Sequence, residues 1–237
     1  MRAGTFPSRR ELVAGAGAAL AVSPAAARAP SADSVVWRFD NLRRIGGRPA
    51  EALGAPAVVR APGGRALAFD GVDDGLVIPE HPLAGAAAFT IEALVRPDGG
   101  RFEQRWLHLA EDPALAASAG VGGGTRMLFE VRVAEAGWYL DAFIKGPGYN
   151  QALMAPEKLH PLGQWRHVAQ VCDGRRYASF VDGVLQAEAA VAFTPQGPGR
   201  TSAGVRMNRI DWFRGAIAEA RFTRRALSPA EFRMRRR

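Results

Sequence analysis

The chain has one cysteine, Cys172, in 237 residues. No disulfide can form within it, so stability rests on packing. Lysine is nearly absent, occurring only at Lys145 and Lys158, and arginine supplies almost all the positive charge. No apolar run is long and hydrophobic enough to hold the chain stably in a bilayer, so no lasting membrane anchor is expected. Helical periodicity is missing before the last dozen residues, which excludes a parallel sheet with crossover helices. The histidines, among them His81 and His160 beside prolines, show no zinc-site spacing. Even the net charge of +8 is less than it looks, because residues 1–29 carry +3 and residues 233–237 carry +4, leaving +1 on the body. Such a body lacks the concentrated positive face that binds a phosphate backbone, so no nucleic-acid partner is expected.

What is present begins with an address. Ser8-Arg9-Arg10-Glu11-Leu12-Val13 precedes a short Ala- and Gly-rich apolar stretch over 14–22, and Ala27-Arg28-Ala29 fits a small-x-small cleavage site. The arginine pair followed by Leu and Val resembles the twin-arginine export signal of bacteria, with a disordered Ala-rich leader as the alternative. The resemblance implies a periplasmic or extracellular protein, organised as an export signal over 1–29, one domain over 30–232 and an Arg-rich tail over 233–237.

From Val35 onward the sequence reads as short β-rich runs punctuated by Gly, Pro and Asp. Twelve strands are expected, over 35–40, 65–69, 75–78, 89–96, 105–110, 126–133, 138–145, 165–172, 177–181, 184–189, 204–210 and 216–223. Asp-Gly pairs at 70–71, 74–75, 173–174 and 182–183 mark turns. Residues 114–124 and 146–162 read as long loops. Ser228-Pro229-Ala230-Glu231 places a cap, a helix-starting proline and a glutamate, predicting a short C-terminal helix. Strands without intervening helices predict an all-β fold, an antiparallel two-sheet sandwich of about two hundred residues that buries a full core.

Five local signatures recur in order. They are Leu67-Ala68-Phe69-Asp70-Gly71-Val72-Asp73-Asp74; Phe89-Thr90-Ile91-Glu92-Ala93-Leu94-Val95-Arg96-Pro97; Trp165-Arg166-His167-Val168-Ala169; Phe180-Val181-Asp182-Gly183-Val184; and Phe213-Arg214-Gly215-Ala216-Ile217-Ala218-Glu219 with Ala226-Leu227-Ser228-Pro229. In this order they resemble the LamG-like jelly roll of the concanavalin A-like lectin and glucanase superfamily. The resemblance implies a jelly-roll sandwich and, as its commonest theme, a carbohydrate partner; fold alone does not fix function.

Alternation divides each strand into two faces, and several strands carry one polar face. Glu92 and Arg96 share a face; so do Arg126, Glu130 and Arg132; so do Tyr139, Asp141 and Lys145. Arg206 and Asn208 alternate with Val205 and Met207. Gln104, Trp106 and His108 alternate with Arg105, Leu107 and Leu109, so either side of that strand can contribute. A groove lined by Glu92, Trp106, Arg126, Glu130, Arg132, Tyr139, Asp141, Arg206 and Asn208 has the chemistry to grip a glycan: rings for sugar faces, guanidinium and carboxylate groups for hydroxyls and uronic acids. The alternative is a solvated face whose charges pair across strands. Trp106, Tyr149 and Trp212 are candidate sugar platforms, whereas Trp138 and Trp165 read as core.

Catalysis is the second class. The Glu-x-Asp-x-x-Glu pattern of jelly-roll glycosidases is absent. Phe129-Glu130-Val131-Arg132 and Lys145-Gly146-Pro147-Gly148-Tyr149-Asn150-Gln151 resemble motifs of jelly-roll alginate lyases, with His108 or Tyr139 as candidate base. In that family, however, the histidine strand follows the Glu-Arg strand, whereas here it precedes it. An adhesion module binding a protein through its rim loops is a third class. No cofactor is required by these readings; Asp70, Asp73 and Asp74 are candidate ligands of a structural calcium or, equally, hairpin-turn residues, with Glu219 a speculative extra ligand. No pattern specifies an oligomer.

Overall fold

The computed structural model describes Met1, residues 33–112 and residues 124–233. The expected export signal, most of the expected 114–124 loop and most of the Arg-rich tail lie outside these residues. The described residues form β1 (Ser34–Arg38), β2 (Arg44–Ile45), β3 (Arg48–Pro49), β4 (Glu51–Leu53), β5 (Ala57–Ala61), β6 (Gly64–Asp70), β7 (Gly75–Ile78), β8 (Phe89–Pro97) and β9 (Glu103–Glu111). They continue with β10 (Arg126–Ala134), β11 (Gly137–Gly146), β12 (Tyr149–Met154), β13 (Arg166–Cys172), β14 (Arg176–Val181), β15 (Val184–Ala190), β16 (Gly199–Ala203) and β17 (Arg214–Thr223). A short 3-10 helix over Pro229–Glu231 follows.

Two large antiparallel sheets carry the fold. An eight-stranded sheet runs β15-β14-β13-β8-β17-β6-β5, with β1 also on β17, and a seven-stranded sheet runs β12-β11-β10-β9-β16-β7-β4. The all-β jelly-roll expectation holds, as does the short terminal helix. Apolar residues at every second position turn inward from both sheets, and Trp37, Phe89, Phe129, Trp138, Phe213 and Phe222 form one fully buried cluster. Each large side chain so buried contributes about 1.5–3 kcal/mol. Cys172 is packed in this cluster, where burial pushes its thiol up to about 11, so it stays protonated and inert.

Three departures from the sequence pattern matter for the site. The expected strand over 204–210 is a loop, and its place in the sheet is taken by β16, Gly-Arg-Thr-Ser-Ala, which has no large apolar residue and leaves the bulk to its neighbours. Gly204 begins that loop at φ +78, and a Cβ there would overlap the Phe69 ring. The region expected to be a loop over 146–162 contains β12, paired with β11 through a Gly-rich turn. Finally, β9 carries a bulge: Phe129 pairs with Leu107 but Glu130 pairs with Arg105, so Trp106 is the extra residue.

Candidate functional site

The polar residues of β9, β10 and β11 meet on the outer face of the seven-stranded sheet. Register pairs Arg132 with Glu103 and Tyr139, Glu130 with Arg105 and Asp141, Leu128 with His108 and Phe143, and Arg126 with Ala110 and Lys145. Arg126, Glu130, Arg132, Tyr139 and Asp141 therefore share one surface, as the alternation of β10 and β11 predicts. The bulge changes what β9 adds. It turns Trp106 into the core, 1% exposed and packed on Phe129, and brings Arg105 out on the same side as His108. Trp106 is thus no sugar platform, and Arg105 is a member that strict alternation misses.

At one end of this face two guanidiniums hold four carboxylates. Arg105 Nη1 lies 3.0 Å from Glu103 Oε2 and 2.8 Å from Asp211 Oδ2, while its Nε contacts Glu130. Arg132 Nε donates to Asp141 Oδ2 at 2.7 Å, and its other nitrogens reach Glu103 and, at 3.6 Å, Glu130. Arg132 also sits over the exposed Phe102 ring, 5.5 Å from its centroid. Hydrogen bonds from Arg132 and Arg105 hold the Glu103 carboxyl below its usual range. Glu130 goes the other way: burial and then the Asp141 charge push it up to about 8, outweighing Arg105 and Arg132. Glu130 therefore holds its proton to higher pH than an ordinary carboxyl, directly across the strands from Asp141.

At the other end lies His108, 4% exposed. The loop that replaces the expected 204–210 strand folds against it, and the Met207 N–H donates to His108 Nδ1 at 2.9 Å. Burial, then the charges of Arg206, Arg126 and Arg105, push this imidazole down to about 3. The neutral ring that accepts at Nδ1 carries its proton on Nε2, which has no hydrogen-bond partner among the described residues. Arg126 lies over the Phe143 ring at 5.1 Å.

Other predicted members lie elsewhere. Glu92 is on β8, in the other sheet, and is fully buried: its Oε1 lies 3.1 Å from His167 Nε2 and accepts the Arg233 N–H at 2.8 Å. It does not line the groove, because alternation assigns a side of a strand but not which sheet that strand joins. Arg206 and Asn208 come from the loop, Arg206 beside His108 and Arg126, Asn208 exposed beyond it. Tyr149 is in the core, accepting from Gln196 and donating to Thr194 O, and Trp212 is half-buried against Gly75. A separate open groove of about 460 Å³ on the eight-stranded sheet is lined by Arg38, Arg44, Glu219 and Arg221 among others, and holds none of the predicted groove residues.

Asp70, Asp73 and Asp74 join the two sheets in the turn between β6 and β7, with carboxylate oxygens within 4.8 Å of one another. Desolvation is the largest single influence on the Asp70 carboxyl and raises it, but the amides of Val72, Asp73 and Asp74 together outweigh it and hold the carboxyl low. Asp74 accepts the Ala55 and Asp70 amides. Gly54, at φ +63, lies so close that a Cβ there would come within 2.6 Å of Asp74 and 2.7 Å of Asp73. The second Asp70 oxygen and the Asp73 carboxylate complete an all-oxygen set that suits a hard cation such as calcium.

Residues 70–233 match the family described as the Concanavalin A-like lectin/glucanases superfamily. Among solved structures, domain 4 of AbnA, a GH43 extracellular arabinanase from Geobacillus stearothermophilus seen with arabinotriose, is 19% identical with a TM-score of 0.59, over 83% of this chain and 94% of that one. A botulinum neurotoxin serotype D binding domain is 11% identical with a TM-score of 0.59, over 84% of this chain and 49% of that one. The CBM40 of the Ruminococcus gnavus IT-sialidase, bound to alpha2,3 sialyllactose, is 16% identical with a TM-score of 0.50, over 76% and 95%. At such identities these are likenesses of fold. Comparison with curated proteins finds no match.

Proposed function

The chain belongs to the Concanavalin A-like lectin/glucanases superfamily, and we propose that it is an exported carbohydrate-binding domain that grips a glycan on the outer face of its seven-stranded sheet. The observation that carries this reading is the convergence of Arg126, Glu130, Arg132, Tyr139 and Asp141, with His108 and Arg105, on one surface. The cross-linked carboxylates and guanidiniums form a floor whose side chains cannot swing, so little conformational entropy is lost when a ligand docks on it. The rim of Phe102, Glu103, Arg126, Phe143 and Lys145 offers rings, donors and acceptors at the accessible level.

Binding fits this geometry better than catalysis. Retaining glycosidases keep two carboxyls about 5 Å apart and inverting ones farther, whereas Glu130 and Asp141 are direct cross-strand partners, each engaged by an arginine. His108 accepts at Nδ1 and carries its proton on Nε2, so it is set as a donor and not as a base. Among the described residues no helix is long and apolar enough to cross a membrane. Export rests on the Arg9-Arg10 signal and on the 30–232 domain boundary it implies, and is supported by the extracellular origin of the similar arabinanase domain. Calcium at the Asp70 turn would act structurally, tying the crossing between the sheets.

A glycan array with the purified protein tests the reading. Binding that weakens in Arg132→Gln and Tyr139→Ala is expected. Absence of any glycan signal at millimolar concentration would remove it.

A further inference from the structure

The register of the seven-stranded sheet sets its outward side chains in rows across the strands. One row runs Ser202, His108, Leu128, Phe143; the next runs Arg200, Ala110, Arg126, Lys145. Successive rows lie roughly 7 Å apart, two residues along a strand. Arg126 and Lys145 are thus direct cross-strand partners of like charge, an arrangement that destabilises a sheet. Arg206 adds a third cation, close enough that its charge, after burial, lowers the pKa of Arg126. Arg126, Lys145 and Arg206 form no ion pair with an acid among the described residues, and the sequence 113–123 that joins β9 to β10 contains no acidic residue. Arg200, by contrast, has Asp112 at 3.5 Å.

Two further donors point the same way. His108 is almost fully buried beside these cations, with Nε2–H unmatched, and Arg126 Nε is buried and unmatched as well. Unpaired donors and self-repelling, half-buried cations both cost stability unless something outside the chain supplies acceptors and negative charge. Only two rows away the face is dominated by carboxylates, so an anion is favoured at the cationic end and repelled at the other.

We propose that this row is an anion subsite: it seats the acid group of an acidic glycan, a carboxylate or a sulfate ester, against Arg126, Lys145 and Arg206, with His108 Nε2–H as a further donor. The adjacent row adds the half-buried Phe143 ring as apolar surface for the sugar ring that bears the acid. The proposal rests on the glycan-binding reading of the same face and adds to it the class of sugar and the direction in which the chain lies.

The test is calorimetric titration of the full-length protein with oligogalacturonate, with its methyl-esterified form, and with a sulfated galactan oligosaccharide, at low and high salt. Binding of either acidic ligand, at least roughly tenfold tighter than the ester and weakening with salt, is expected; which acidic ligand binds identifies the acid group. Arg126→Gln and Lys145→Gln should each weaken acidic ligands roughly tenfold, leave the ester unchanged, and keep or raise the melting temperature because repulsion is relieved. Ester binding as tight as acid binding overturns the anion subsite and leaves the glycan reading standing. Failure of all three ligands, together with a silent glycan array, overturns both. A fall in melting temperature in both variants would show the cations to be structural and would also overturn the proposal.

Discussion

The two sheets begin from the same pattern, polar side chains at every second position, and end with different surfaces. On the eight-stranded sheet the chain comes back over the face. Phe232 packs against the rings of His167 and Phe180 at 5.5 and 5.4 Å, Leu227 N–H donates to Thr90 Oγ1, and the Arg233 amide donates to Glu92. The polar groups there serve to hold the C-terminal segment. On the seven-stranded sheet the charges at one end satisfy one another, and at the other end cations and donors are left over. A polar alternation therefore marks a site only where no segment of the same chain has claimed it.

The largest effect should come from uncapping the first face. Phe232→Ala removes a ring only 5% exposed and should cost about 3 kcal/mol, read as a shifted urea midpoint. An unchanged midpoint would mean that the cap is not holding the sheet and that the two faces are alike. A smaller effect separates the faces by pH. Glu130 is raised from the ordinary carboxylate range to about 8 in the folded state, so its contribution is fully present below the unfolded value and is lost as pH rises through about 8. Stability should fall as pH rises from 5 to 8.5, and Glu130→Gln should flatten the fall. A slope that survives the substitution would assign it to another group. The smallest effect concerns the turn that joins the sheets. Millimolar calcium should raise the melting temperature by a few degrees, a gain of about 1 kcal/mol, and Asp73→Asn should abolish the rise. No change with calcium would leave Asp70, Asp73 and Asp74 as turn residues alone.

Much of this was legible before any coordinates. Strands rich in large alternating residues, such as Phe89–Pro97 and Arg126–Ala134, announce themselves, because their own side chains do the burying. Gly199–Ala203 and Ala57–Ala61 do not, since one has no large apolar residue and the other is an edge strand with exposed Val58. The members Arg126, Glu130, Arg132, Tyr139 and Asp141 follow from period-two reading of two adjacent strands. Trp106 and Arg105 could not be sorted that way, because a bulge shifts the phase without leaving a glycine or proline to mark it. Glu92 shows the other gap: local alternation contains no information about which of two outer faces a strand presents, and pairing with Ala169 and Arg221, far away in sequence, decides it.

That long-range pairing has a consequence in time. Ser34 meets Thr223 hydroxyl to hydroxyl across 189 residues, and β8 finds its neighbours in β13 and β17 rather than in any strand near it in sequence. Few of the contacts that close the sandwich can reward the chain before most of it is ordered, so loop-closure entropy must be met early and recovered late. The folded sandwich is then approached slowly, and an unfinished chain exposes open strand edges to other chains for as long as closure takes.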